Sequence, residues 1–165
     1  MIFLTVGTQF PFDRLLQAVD EAFDRGMVQE EVYAQIGESQ YKPRNFKGVM
    51  SLDKTEFDAY FTSASSVIGH AGMGTITMAL KHRKPLLVMP RLKKYREVVN
   101  DHQVGIARKF EEFGHILVAY GAAELPEKID RLKNFIPTPR EDKAQAVVNR
   151  IRCFLHSLDC SGKSV

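Results

Sequence analysis

The chain has no tryptophan, and its two cysteines, Cys153 and Cys160, lie close together near the C-terminal end. Such a pair gives no disulfide framework, which fits a reducing compartment. Charge of one sign is also scarce: 23 basic residues against 20 acidic leave a formal +3, too mild a field to imply a nucleic-acid partner. No apolar run approaches the roughly 20 residues of a membrane-spanning helix. The opening Met1-Ile2-Phe3-Leu4-Thr5-Val6-Gly7 has no basic leader and is too short for a secretory signal. The expectation is a cytoplasmic protein whose membrane contact is peripheral or made through a partner. The five histidines are scattered and neither cysteine has a ligand-like neighbour, so no metal and no cofactor is expected. No Ser-His-Asp or Cys-His arrangement is readable, and no general base stands out.

What the chain does have is alternation. At 165 residues and 44% hydrophobic, it can bury the core of one domain without staples. Apolar runs at 2–6, 32–36, 48–51, 66–69, 85–89 and 115–120 read as strands. Helical spacing marks 12–26, 54–64, 74–82, 100–113, 122–134 and 141–158 between and after them. Six strands with intervening helices predict an α/β fold, a doubly wound, mostly parallel, Rossmann-like sheet. A single domain is expected over 1–158, with a flexible tail over 159–165.

Sheets of this kind take ligands beyond the carboxyl ends of their strands. Four polar or glycine-bearing motifs fall at such ends: Gly7-Thr8, Gln35 to Gly37, His70 to Thr75, and Pro90-Arg91. Gly72-x-Gly74 permits a tight turn and close backbone approach, and Gly74 and Thr75 open a helix. Unpaired N–H groups and a positive dipole end would then point at one spot, as phosphate requires. The same glycines would also serve helix–sheet packing alone. His70 is either a hydrogen-bonded structural residue or a group beside the reacting phosphate. Arg91, Lys93, Lys94 and Arg96 form a basic loop, either solvated or drawn to a diphosphate or to anionic headgroups. Asn100-Asp101-His102-Gln103 is a longer polar run than a helix cap requires, and its side chains suit vicinal hydroxyls. The first loop, Gly7-Thr8-Gln9-Phe10-Pro11-Phe12, lacks the later glycines of a dinucleotide fingerprint, which disfavours a nicotinamide-dependent oxidoreductase.

On His70-Ala71-Gly72-Met73-Gly74-Thr75, Lys84 to Arg91, Asn100 to Gln103, Phe3 to Thr8 and Gln35-Ile36-Gly37, the chain resembles the C-terminal half of glycosyltransferase family 28. It is most similar to small single-domain members, among them two-chain UDP-N-acetylglucosamine transferases and bacterial split exopolysaccharide transferases. The resemblance implies one half of a GT-B fold and an inverting transferase using a UDP-sugar, UDP-GlcNAc or UDP-glucuronate, on a polyprenyl-diphosphate-linked acceptor. It also implies a membrane-associated partner chain that binds the acceptor and carries the catalytic base, and a location at the inner face of the membrane. Carried over, Gly7, Thr8, His70, Gly72, Met73, Gly74, Thr75 and Arg91 would face the donor diphosphate. Asn100, Asp101, His102 and Gln103 would hold the sugar. Many members place a ribose-binding glutamate where this chain has Met78; either Thr77, Glu97 or Glu38 substitutes for it, or nucleoside recognition is weaker. A non-catalytic regulatory subunit is the alternative reading.

Overall fold

The computed structural model describes residues 1–139 and 144–161, with side chains on the last helix described over 147–156. Six strands, β1 (Ile2–Thr5), β2 (Val32–Gln35), β3 (Lys47–Val49), β4 (Ser66–His70), β5 (Leu86–Met89) and β6 (Leu117–Val118), form one sheet. Its order is β3-β2-β1-β4-β5-β6 and every neighbouring pair is parallel. The helices are α1 (Asp13–Asp24), α2 (Lys54–Ser63), α3 (Met73–Lys81), α4 (His102–Glu112), α5 (Leu125–Leu132) and α6 (Ala144–Ser161). The order reverses direction between β1 and β4, the switch point where doubly wound sheets open a crevice.

The continuous apolar strands follow from burial on both faces. Alternate residues go to opposite sides: Leu4, Ile68, Leu87 and Met89 pack with Leu15, Leu16 and Val19 of α1 and Ile129 of α5. Phe3, Val67, Leu86 and Val88 pack with Phe61 of α2, Ile76 of α3 and Ala107 of α4. Inside the second layer Phe3 meets Phe57 edge-on at 5.2 Å, a favoured aromatic geometry.

The α2 helix begins at Lys54 as expected, held there by a full capping box in which the Asp53 carboxylate accepts from Glu56 N while Glu56 reaches back. The α4 helix begins at His102, two residues later than the expected start, because Asn100 and Asp101 turn their side chains to other work. A 3₁₀ turn, Lys93–Tyr95, occupies the expected basic loop, and another, Ala122–Glu124, precedes α5. The polar stretch before β3 is tied down by Asp20, fully buried on α1. Its carboxylate accepts from Tyr41 Oη at 2.6 Å, Arg44 N at 3.0 Å and Asn45 N at 2.9 Å. Burial alone would raise that carboxyl's pKa, but these hydrogen bonds outweigh it and hold the pKa below its ordinary value.

The α6 helix continues through Ser161, past the expected boundary at 158, and the rest of the expected tail, 162–165, lies outside the described residues. Its apolar residues Val147, Val148, Ile151 and Leu155 are exposed and add nothing to the two core layers. Among the described residues no helix is long and apolar enough to cross a membrane.

Candidate functional site

The carboxyl ends of β1, β4 and β5 and the start of α4 enclose a cleft of about 430 Å³. Gly7, Thr8, His70, Gly72, Met73, Gly74, Thr75 and Arg91 all line it, together with His102 and Gln103. Ten of the twelve expected site residues thus share one wall-to-wall space. Asn100 and Asp101 do not: Asn100 Oδ1 accepts from His102 N at 3.2 Å, and Asp101 Oδ1 accepts from Lys93 N at 2.7 Å. They fasten the chain between the 3₁₀ turn and α4. Gln9, Phe10, Val98 and Ile106 complete the cleft, and no sequence signal marked them.

The cradle is built from missing side chains. Gly72 takes the N-cap position of α3 and offers no capping group. The N–H groups of Met73, Gly74 and Thr75 make no hydrogen bond among the described residues; the first that does is Ile76 N, to Gly72 O at 3.1 Å. Three free donors at the positive end of a helix form an anion site. The imidazole of His70 lies between the two glycine turns. A Cβ on Gly7 would come within 2.7 Å of His70 Cε1, and one on Gly72 would overlap the same ring. Gly7 is also left-handed, at φ +78. Its N–H donates to Thr5 Oγ1 at 3.2 Å, and that hydroxyl donates to Gln35 Oε1 at 3.1 Å, which fixes the β1 turn against the end of β2.

Burial, and then the nearby Arg91 charge, push the His70 pKa down to about 4, with the Thr5 backbone opposing both. The ring is therefore neutral at physiological pH, and its buried Nδ1 has no hydrogen-bond partner among the described residues. Arg91 is almost wholly buried, and burial lowers its pKa to about 10 while Glu97 opposes the shift. It stays charged at neutral pH, with no carboxylate in ion-pair range among the described residues. Its Nη2 donates to Val6 O at 2.6 Å and to Phe10 O, and its Nε has no partner there. Arg91 thus anchors the β1 turn, and leaves a buried positive charge at the cleft wall. Its own N–H donates to Gln103 Oε1 at 3.1 Å, which fixes the Gln103 amide in the wall with its NH₂ end still available.

A fastening behind the cleft was not legible in the sequence. Arg14 of α1 donates Nε and Nη2 to the Glu97 carboxylate at 2.9 and 2.8 Å, and Nη2 also to Pro90 O at 2.9 Å. Glu97 further accepts from Leu92 N at 2.9 Å. Glu97 is consumed by these bonds and does not reach a ligand. Neither of the other expected stand-ins for a ribose-binding carboxylate fits. Glu38 lines neither this cleft nor its neighbour, and Thr77 lines an adjoining hollow between α2 and α3 that shares Lys54, Asp58, Gly74 and Met78 with that neighbour.

That neighbour is a second hollow of about 400 Å³ on the far side of the cradle. It shares Gly7, Thr8, Gly74 and Thr75 with the first and adds Leu52, Phe57 and Met78 as apolar walls. A charged, donor-rich compartment joined through glycines to an apolar one has the polarity of a nucleoside diphosphate.

The model of the glycosyltransferase family 28 C-terminal domain matches residues 1–157. The chain is 34% identical over 94 residues to the UDP-N-acetylglucosamine transferase subunit ALG13 of Candida glabrata, covering 55% of this chain and 45% of that protein. It is 44% identical over 55 residues to the protein of the same name from Eremothecium gossypii, covering 33% and 25%. The chain thus spans less than half the length of these curated relatives. Among solved structures, MurG of Acinetobacter baumannii superposes with a TM-score of 0.61 at 18% identity, covering 91% of this chain and 49% of that one. The NMR solution structure of ALG13 gives 0.57 at 19% identity, covering 87% and 91%. At these identities the two structures speak to fold, and the fold is the Rossmann-like half of a GT-B enzyme. Matched by the family model over nearly its whole length, with the glycine cradle and the six-stranded parallel sheet in place, the chain belongs to the glycosyltransferase family 28 C-terminal domain family.

Proposed function

We propose that this chain is the donor-binding subunit of an inverting glycosyltransferase. It would take a UDP-sugar, UDP-GlcNAc or UDP-glucuronate, and serve a polyprenyl-diphosphate-linked acceptor in glycan or polysaccharide assembly. One observation carries the reading: three free N–H groups at the start of α3, the neutral His70 ring and the buried Arg91 charge converge on one cleft. This is a site for a diphosphate that must leave. In the reaction the acceptor oxygen bonds to the anomeric carbon on one face as the bond from that carbon to the diphosphate oxygen breaks on the other. The departing diphosphate gains negative charge, and fixed N–H donors aimed at it stabilise the transition state more than the ground state. Those donors and Arg91 do this without calling on a resident metal. His102 and the Gln103 amide, the latter bonded to the Arg91 N–H, would hold the sugar hydroxyls.

The base that takes the acceptor proton is assigned to a partner chain rather than to the cleft histidines His70 and His102. Relatives named as subunits of a UDP-N-acetylglucosamine transferase support extending that arrangement here, with base and acceptor site on a second, membrane-associated chain. The subunit would then work in the cytoplasm, at the inner face of the membrane through that partner.

The test is a calorimetric panel of UDP, UDP-GlcNAc, UDP-glucuronate, a GDP-sugar and NAD. Saturable heats with the uridine compounds, and none with NAD, are expected. Silence from every uridine compound would overturn the reading, and tight NAD binding would put a dinucleotide enzyme in its place.

A further inference from the structure

Sequence alone leaves the basic loop after β5 open to water, to a diphosphate or to anionic headgroups, and the fold separates these uses. Arg91 turns inward and is buried in the cleft wall. Lys93, Lys94 and Arg96 are exposed, and none of them lines the cleft or the hollow beside it. Among the described residues none of the three makes an ion pair. Lys54, Lys109 and Lys133, by contrast, each meet a carboxylate, at 2.8, 3.0 and 3.1 Å. The neighbouring acids do not cancel the loop's charge. Glu97 is taken by Arg14 at 2.8 Å. Asp101, which accepts from the Lys93 N–H, sets one exposed negative charge against three positive ones. Two large apolar side chains stand out among these cations: Tyr95, 52% exposed, and Val99, 75% exposed. The loop is also held in shape. The Tyr95 ring lies 4.8 Å from the Arg14 guanidinium. Arg96 has a left-handed φ of +59, where glycine would sit without strain and an arginine is kept at a backbone cost.

We propose that this loop is a docking surface for an anionic lipid bilayer, with Lys93, Lys94 and Arg96 against the phosphates and Tyr95 and Val99 among the headgroups. Cations interleaved with an aromatic and an aliphatic side chain suit a headgroup layer, which offers many anionic groups in one plane and apolar depth beneath them. Such a layer asks for no fixed register, which fits long side chains that no intramolecular ion pair holds. The surface gives the chain a membrane contact of its own, beyond the one made through a partner. On the donor reading given above it would set the cleft beside the bilayer, because Arg91 and His102 of the cleft wall bracket the loop. Alone it would hold the chain only reversibly, since stable anchoring takes two signals.

Cosedimentation of the full chain with phosphatidylcholine vesicles, with and without about one-third phosphatidylglycerol, tests this. At low salt the chain should pellet with the anionic vesicles and stay in solution with the neutral ones, and about 0.5 M salt should release it. Each cation near such a surface strengthens binding about fivefold. Lys93→Gln, Lys94→Gln and Arg96→Gln together should therefore weaken binding about a hundredfold, with the calorimetric heats for UDP unchanged. Arg96→Gly removes one charge at a φ that favours glycine and should lose about fivefold, so a folding defect in the triple variant cannot imitate the result. Arg150→Gln with Arg152→Gln, on the exposed α6 helix, should bind as the wild type does. A wild-type chain that ignores anionic vesicles at low salt overturns the assignment and leaves the loop to an acidic protein surface. Undiminished binding by both loop variants overturns it too, as does an equal loss in the α6 variant, which would move the contact to that helix. None of these results touches the donor reading, which stands or falls on the uridine heats.

Discussion

Replacing Glu97 by alanine tests how the cleft wall is held. The Glu97 carboxylate, 8% exposed, accepts from two guanidinium nitrogens of Arg14, itself 15% exposed, and from the Leu92 N–H. The substitution strips three donors of their acceptor and leaves the Arg14 charge buried without a counterion. Arg14 keeps the Pro90 carbonyl and its contacts with the Phe12 and Tyr95 rings, at 5.2 and 4.8 Å. Breaking a buried pair from one side costs about 3–5 kcal/mol. The surviving Pro90 bond and slight exposure of Arg14 place the expectation near the lower end, about 3 kcal/mol. In urea, with a slope of about 2 kcal/mol per molar, the midpoint should fall by about 1.5 M. The double variant Arg14→Leu with Glu97→Leu removes both charges and should be more stable than Glu97→Ala alone. A loss below about 1 kcal/mol for Glu97→Ala, or a double variant no better than the single one, would refute the claim that this pair fastens the loop through desolvated charge.

Two further outcomes follow from the cradle. Gly72→Ala drives a methyl into the His70 ring, and overpacking of this kind costs about 1–3 kcal/mol. UDP affinity should fall with it, and adding His70→Ala should restore the stability; urea unfolding that shows no rescue would contradict the steric account. The second outcome concerns acid. His70 titrates near 4 when folded, against 6.5 ordinarily, so the unfolded chain takes the proton first as pH falls. Stability is therefore lost through the window from pH 6.5 to 4, by about 3 kcal/mol in total. His70→Gln should flatten that part of the curve, and parallel pH profiles for the two proteins would show that the ring is not held neutral.

Much of this site could be read from the chain because its chemistry is local. The glycine turn from His70 to Thr75 joins a strand to a helix within a few residues, so the free N–H groups follow from sequence order and helix geometry alone. The run Asn100 to Gln103 shows the limit: four polar residues suggested one ligand surface. A helix start sends successive side chains in different directions, so His102 and Gln103 reach the cleft while Asn100 and Asp101 fasten a loop. Arg91 shows it again. Its position at a strand end was visible, but its guanidinium is bound to the Val6 carbonyl, 85 residues away in sequence.

By itself the sequence determined the layers and the cradle. Buried apolar strands in alternation with amphipathic helices leave few arrangements other than a parallel sheet covered on both faces, and glycines at a strand end leave backbone donors exposed. Only the tertiary structure decided which charged groups remain free to meet a ligand. Glu97 was equally plausible as a ribose acceptor until Arg14, brought in from α1, was found to occupy it. Hydrogen-bond capacity is finite, and only the folded chain shows which partners have already used it.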